Sequence, residues 1–109
     1  MKKLFFTLSI LCLGLVSCNK PTTACIELSQ SSVAAGTEMT FTSCSEEALS
    51  FAWYFSGPAG APENDMGWSE PIFHHAFSVP GTYTVELTAY ERYSFVGDQA
   101  VTTATFTVN

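Results

Sequence analysis

The sequence predicts an all-β protein, a sandwich of about seven short antiparallel strands. Three observations predict it. From Ala24 onward, apolar side chains recur with period two rather than 3.6. β-Branched and aromatic residues dominate these runs, and 12 Thr fall in residues 18–109, as half-buried strands favour. Turn signals recur between them at Ala35-Gly36, Gly57-Pro58, Pro80-Gly81 and Gly97-Asp98. No stretch shows sustained helical spacing, and no internal repeat is visible. Short strands separated by regular turns are the pattern of two packed sheets.

The strands follow in order. Cys25 to Leu28 is a first short strand, and Ser31 to Gly36 a turn or edge segment. Glu38 to Cys44 alternates Met39 and Phe41 against Thr40 and Thr42. After the turn Ser45 to Ala48, with Glu46 and Glu47 in water, Leu49 to Phe55 sets Leu49, Phe51, Trp53 and Phe55 on one face. Ile72 to Phe77 is a fourth segment. Thr82 to Tyr90 is the clearest strand, with Tyr83, Val85, Leu87 and Ala89 opposite Thr84, Glu86, Thr88 and Tyr90. Ala100 to Val108 closes the chain, with Ala104, Phe106 and Val108 opposite Thr103, Thr105 and Thr107. Two stretches lack strand period and are expected to be loops, Gly57 to Pro71 and Tyr90 to Gly97.

The N-terminus follows a different logic. Lys2 and Lys3 precede a 13-residue run, Leu4 to Val16, in which 10 side chains are apolar. The run is too short to span a membrane, which takes about 20 residues. It has the length and flanks of a secretory signal. It ends Leu15-Val16-Ser17-Cys18, which resembles the bacterial lipobox. That resemblance implies lipid attachment to the Cys18 thiol and cleavage before it. Residues 1–17 are then a lipoprotein signal peptide, 18–23 a lipid-anchored tether and 24–109 the domain. The expected location is the bacterial cell envelope, lipid-anchored to the outer membrane. No acidic run follows Cys18, which favours a periplasmic over a surface orientation and leaves both open.

Processing changes the composition. The full chain carries 4 Lys+Arg against 10 Asp+Glu, a net charge of −6. Without Lys2 and Lys3, only Lys20 and Arg92 oppose the same 10 acids, a net charge of −8. Such a surface does not neutralise phosphates, so no nucleic-acid partner is expected. Adhesion to anionic lipid headgroups is not expected either. Of four cysteines, Cys12 leaves with the signal and Cys18 carries lipid. Cys25 and Cys44 remain, in an oxidising compartment, and are read first as a disulfide. Its loop of about 20 residues contributes roughly 3 kcal/mol by chain entropy. Free thiols, or a metal site with His74 and His75, are the alternatives. The two histidines are adjacent and point to opposite faces of a strand, so metal is not expected.

Trp53-x-Phe55, then His75-x-Phe77, then Pro80-Gly81-Thr82-Tyr83-Thr84-Val85-Glu86-Leu87 form an ordered series. This series resembles the PKD domain, named after polycystic kidney disease, over residues 26–108. The resemblance implies an immunoglobulin-like β-sandwich. Independently of it, Trp53 is the large apolar anchor between the sheets. Pro80-Gly81 suits a tight turn, and Tyr83 buries its ring and requires a hydroxyl partner. His75 is expected to be a structural hydrogen-bonding residue. One departure stands out. The family's G-D-G after the Trp strand is here Ser56-Gly57-Pro58. Loss of that Asp puts in doubt the calcium sites of some relatives. Glu63 and Asp65 offer oxygens but are expected in water.

Nucleophile elbows, zinc-hydrolase motifs and Gly-rich phosphate loops are absent from the sequence, so neither enzymatic activity nor a cofactor is expected. Recognition is expected on the loops. Met66 and Trp68 in the first, and Tyr93 and Phe95 in the second, are the candidate binding residues. The expected role is a non-catalytic, lipid-anchored envelope module mediating protein–protein interaction or adhesion. The alternative is a glycan-binding accessory lipoprotein, which requires Trp68 and Tyr93 to be exposed, coplanar and close.

Overall fold

A computed structural model describes residues 20–109. The expected signal segment and Cys18 lie outside the described residues. Eight strands follow in chain order: β1 (Ile26–Leu28), β2 (Ser32–Val33), β3 (Glu38–Ser43), β4 (Ser50–Ser56), β5 (Gly67–Trp68), β6 (Ile72–Ala76), β7 (Gly81–Arg92) and β8 (Val96–Val108). A 3-10 turn, Pro62–Asp65, separates β4 from β5. The strands form a three-stranded sheet, β1-β3-β6, and a five-stranded sheet, β2-β8-β7-β4-β5. The protein is an all-β, immunoglobulin-like sandwich.

Period two sets which side chains meet between the sheets. Met39 and Phe41 on β3, Phe73 on β6, Trp53 and Phe55 on β4, Tyr83, Val85 and Leu87 on β7, and Phe106 and Val108 on β8 are all buried. Phe41 is the hub. Its ring stacks on Phe73 at 4.9 Å and meets Phe55 and Phe106 edge-on at 5.2 Å and 5.6 Å. Such aromatic pairs contribute about 0.5–1.5 kcal/mol each beyond area burial. The two buried ring polar groups find partners. Trp53 Nε1 donates to the Glu70 carbonyl at 2.8 Å, and the Tyr83 hydroxyl to the Val79 carbonyl at 2.6 Å.

Cys25 and Cys44 form a disulfide, with Cα atoms 4.8 Å apart. It sits where β1 meets the end of β3, beside the backbone hydrogen bond from Cys44 N–H to the Cys25 carbonyl.

Four expectations are corrected. Leu49 does not join the inward face but is 49% exposed, because it precedes the first β4–β7 rung, Ser50–Tyr90. The segment Ser31 to Gly36 supplies an edge strand, β2, but it pairs with β8 in parallel rather than antiparallel register. Gly57 to Pro71 is not structureless, because Gly67 and Trp68 add β5 to the edge of β4. Tyr90 to Gly97 is mostly strand. β7 continues to Arg92 and β8 begins at Val96, so the loop shrinks to Tyr93, Ser94 and Phe95. The positive φ of Ser94 (63°) and Phe95 (59°) turns the chain within those three residues.

Candidate functional site

The segment after β4 is closed by its own polar groups. Gly57 N–H donates to Asn64 Oδ1 at 2.6 Å, and Asn64 Nδ2 donates to the Pro58 carbonyl at 3.0 Å. Gly57 is required here by close approach: a Cβ would lie 2.5 Å from the Tyr83 ring. The fold delivers Glu63 inward, 2% exposed, against the expectation that it lies in water. Its Oε2 meets His75 Nε2, reaching from the 3-10 turn across to β6. Its Oε1 is buried without a hydrogen-bond partner. Burial, and secondarily the Glu63 carboxylate, push the Tyr83 phenol above the ordinary tyrosine range. Asp65 is exposed, as expected. Among the described residues, no three His, Cys, Asp or Glu side chains converge as metal ligands.

Trp68 is half-buried. It pairs with Trp53 across β4–β5, stacks on Phe73 at 4.9 Å with rings 8° from parallel, and meets Phe55 and His75 edge-on. One face of its ring is thus taken by the core. Met66 is exposed beside it.

Tyr93 and Phe95 lie elsewhere. β4 runs from Ser50, opposite Tyr90, to Ser56, opposite Thr84. The β7–β8 tip projects past the Ser50 end, whereas Met66 continues from Gly67 toward the Ser56 end. Trp68 and Tyr93 are therefore separated by at least the rungs from Trp53 to Ser50, about 10 Å along the strand. The two sets of candidate residues do not form one patch. The tip is nonetheless ordered: Phe95 N–H donates to Ser50 Oγ at 3.0 Å, Ser50 Oγ donates to the Arg92 carbonyl at 2.6 Å, and the Phe95 ring meets Tyr90 edge-on at 5.5 Å.

A third surface was legible only as the polar half of the strand alternation. The outer face of the five-stranded sheet carries Tyr54 from β4, Thr84 and Thr88 from β7, and Val101, Thr103 and Thr105 from β8. The register sets them in rows, Tyr54-Glu86-Thr103 and Ser56-Thr84-Thr105. Among the described residues, Glu86 is the one charged side chain in these rows. Tyr54 and Val101 are both exposed there.

Two packed, mostly antiparallel sheets with Trp53, Phe55 and Tyr83 buried between them define the immunoglobulin-like sandwich class. The PKD domain family model matches residues 24–105, and the chain belongs to that family. Domains of this family are typically non-catalytic modules. The PKD1 domain of Vibrio anguillarum Epp has a similar structure, with TM-score 0.62 and 26% identity over 84% of this chain and 96% of that one. A second similar structure comes from work on the promiscuous specificity of carbohydrate-binding modules of the β-sandwich superfamily. It has TM-score 0.67 and 20% identity, and the match covers 84% of this chain but only 35% of that chain. At that identity the likeness is one of fold. No curated protein sequence matches the chain.

Proposed function

We propose that the mature protein is a lipid-anchored module of the bacterial cell envelope that binds another envelope protein through the outer face of its five-stranded sheet. What supports this reading is the charge distribution. A domain with 10 acidic residues leaves one acid, Glu86, among the rows of that face. Interface centres are depleted in charge and enriched in Tyr. Threonine hydroxyls donate and accept without the desolvation cost of an ion. The lipobox-like Leu15–Cys18 segment supports lipid attachment at Cys18.

The experiment is site-specific photocrosslinking of the anchored protein in its own membrane. A photoreactive phenylalanine at Tyr54 is expected to give one defined crosslinked species. The same probe at exposed Glu27, on the three-stranded sheet, is expected to give none. No adduct at Tyr54, or equal adducts at both, overturns the assignment.

Glycan binding is the second reading. It is favoured by the part of the Trp68 ring left exposed beside Met66. Titration with envelope polysaccharides while following tryptophan fluorescence tests it, with Trp68→Phe removing the response. The pairing of Trp68 with Phe73 leaves one ring face for a sugar, and Tyr93 is not adjacent to extend it.

A further inference from the structure

The tether and the β7–β8 tip meet at one end of the sandwich. Thr22, buried at the start of the domain, donates its N–H to Asp98 Oδ2 at 3.3 Å and its hydroxyl to the Glu47 carbonyl at 2.8 Å. Thr23 continues as a bridge to Glu46. Asp98 is two residues beyond Val96, where β8 leaves the tip. Cys18 is four residues before Thr22, a reach of at most about 14 Å. A lipid on Cys18 therefore holds this end of the domain against the bilayer. The same end exposes large apolar side chains: Tyr93 at 70%, Phe95 at 52%, and Val96 and Leu49 at about half. β7 and β8 carry Tyr93, Phe95 and Val96 beyond the last rung that β4 shares with β7, Ser50–Tyr90, and Leu49 lies just before that rung on the chain entering β4.

We propose that the tip Tyr93–Val96 inserts into the neutral headgroup region of the bilayer that holds the lipid anchor. The proposal rests on the lipid-anchor reading above. Four observations commit the tip to a lipid surface. The length of chain before Thr22 fixes how far this end can stand from the anchor. Tyrosine is at home at the membrane interface, where its ring is buried and its hydroxyl stays wet. The only two basic residues of 18–109, Lys20 and Arg92, flank this end, and their long side chains can reach lipid phosphates. The nearby acids are engaged locally: Asp98 by Thr22 N–H, and Glu91 by Asp98 N–H at 3.2 Å. Glu46 and Glu47 remain exposed at this end, which points to neutral rather than anionic lipid. Insertion would fix the domain's orientation, with β4 and its neighbours standing away from the membrane.

The full chain is expressed and processed in bacteria as the Ser94→Cys variant. Cys18 is lipidated and Cys25 is bonded to Cys44, so the introduced thiol alone takes an environment-sensitive fluorophore. The protein is reconstituted into phosphatidylcholine vesicles containing a headgroup-level spin-labelled lipid. Blue-shifted emission and quenching by the spin label are expected at position 94. An Ala59→Cys probe, at the opposite end after β4, is expected to show neither. Tyr93→Ala with Phe95→Ala should abolish the shift while the circular dichroism stays the same. Metabolic palmitate labelling of the same preparation reports the anchor separately. A palmitate-labelled, vesicle-bound protein whose position-94 probe stays in water overturns the insertion and leaves the anchor standing. Absence of palmitate at Cys18 overturns the anchor reading and the insertion with it.

Discussion

Glu63 is the residue whose environment departs furthest from its type. A carboxyl group 2% exposed, with one oxygen unpartnered, is destabilising unless its other oxygen is well held. His75 holds it. The interaction joins the 3-10 turn after β4 to β6 of the other sheet, so it also fixes the segment that carries Trp68. Removing one partner of a buried pair leaves a desolvated polar group and typically costs 3–5 kcal/mol. His75 is partly exposed, with 22% of its side chain open, so His75→Ala is expected at the lower end, about 3 kcal/mol. Urea unfolding measures it. Adding Glu63→Gln to that variant should restore part of the loss. A cost below about 1 kcal/mol would mean that water satisfies the carboxylate and the histidine is dispensable.

Among the elements, the small sheet depends most on covalent help. β1 has three residues and pairs only with β3, from Ile26–Ser43 to Leu28–Phe41. The Cys25–Cys44 disulfide closes a separation of 19 residues at the end of this pairing. Cys25→Ser with Cys44→Ser is expected to cost about 3 kcal/mol, read as a lowered urea midpoint. β1 amides should lose hydrogen-exchange protection before those of β7, whose central rungs pair on both sides. Protection lost equally across both sheets would refute that local role. The elements also show what a sequence discloses. β3, β4, β7 and the second half of β8 were legible because each alternates over at least five residues. β6 (Ile72-Phe73-His74-His75-Ala76) does not alternate and was legible only as an apolar and aromatic run before Pro80-Gly81. β5 was not, because two residues in a Gly/Pro-rich segment carry no period. The overhang of β7 and β8 was hidden because Glu91, Arg92 and Gly97 to Gln99 face water and lack an apolar stripe. His75 was readable as a hydrogen-bonding residue from its place in the motif. Its partner was not, since nothing in Pro62-Glu63-Asn64-Asp65 distinguishes an inward carboxylate from a solvated one.

At the scale of the whole molecule, the folded domain and its attachment are separable. Among the described residues before Ala24, the contacts to the domain are those of Thr22 with Asp98 and Glu47 and the Thr23 bridge to Glu46. None of the described residues before Ala24 belongs to the core cluster, which runs from Val33 to Val108. Loss of the lipid should therefore change where the protein is without changing what it is. Cys18→Ala is expected to abolish metabolic palmitate labelling and leave a precursor that no longer matures as a lipoprotein. Thermal unfolding of the purified domain should stay within about 0.5 kcal/mol of the parent, as for a surface substitution remote from the core. Under the anchoring proposed above, the lipid would confine the protein to a membrane-adjacent layer and raise its effective concentration toward a partner in the same layer without adding a contact. The Tyr54 crosslink should accordingly weaken in Cys18→Ala cells at equal protein abundance, and return when the domain is re-anchored through an unrelated lipoprotein signal. A crosslink of equal strength without the lipid would mean that affinity alone brings the partner to the Tyr54 face. Undiminished palmitate labelling of Cys18→Ala would place the lipid elsewhere and refute the lipobox assignment itself.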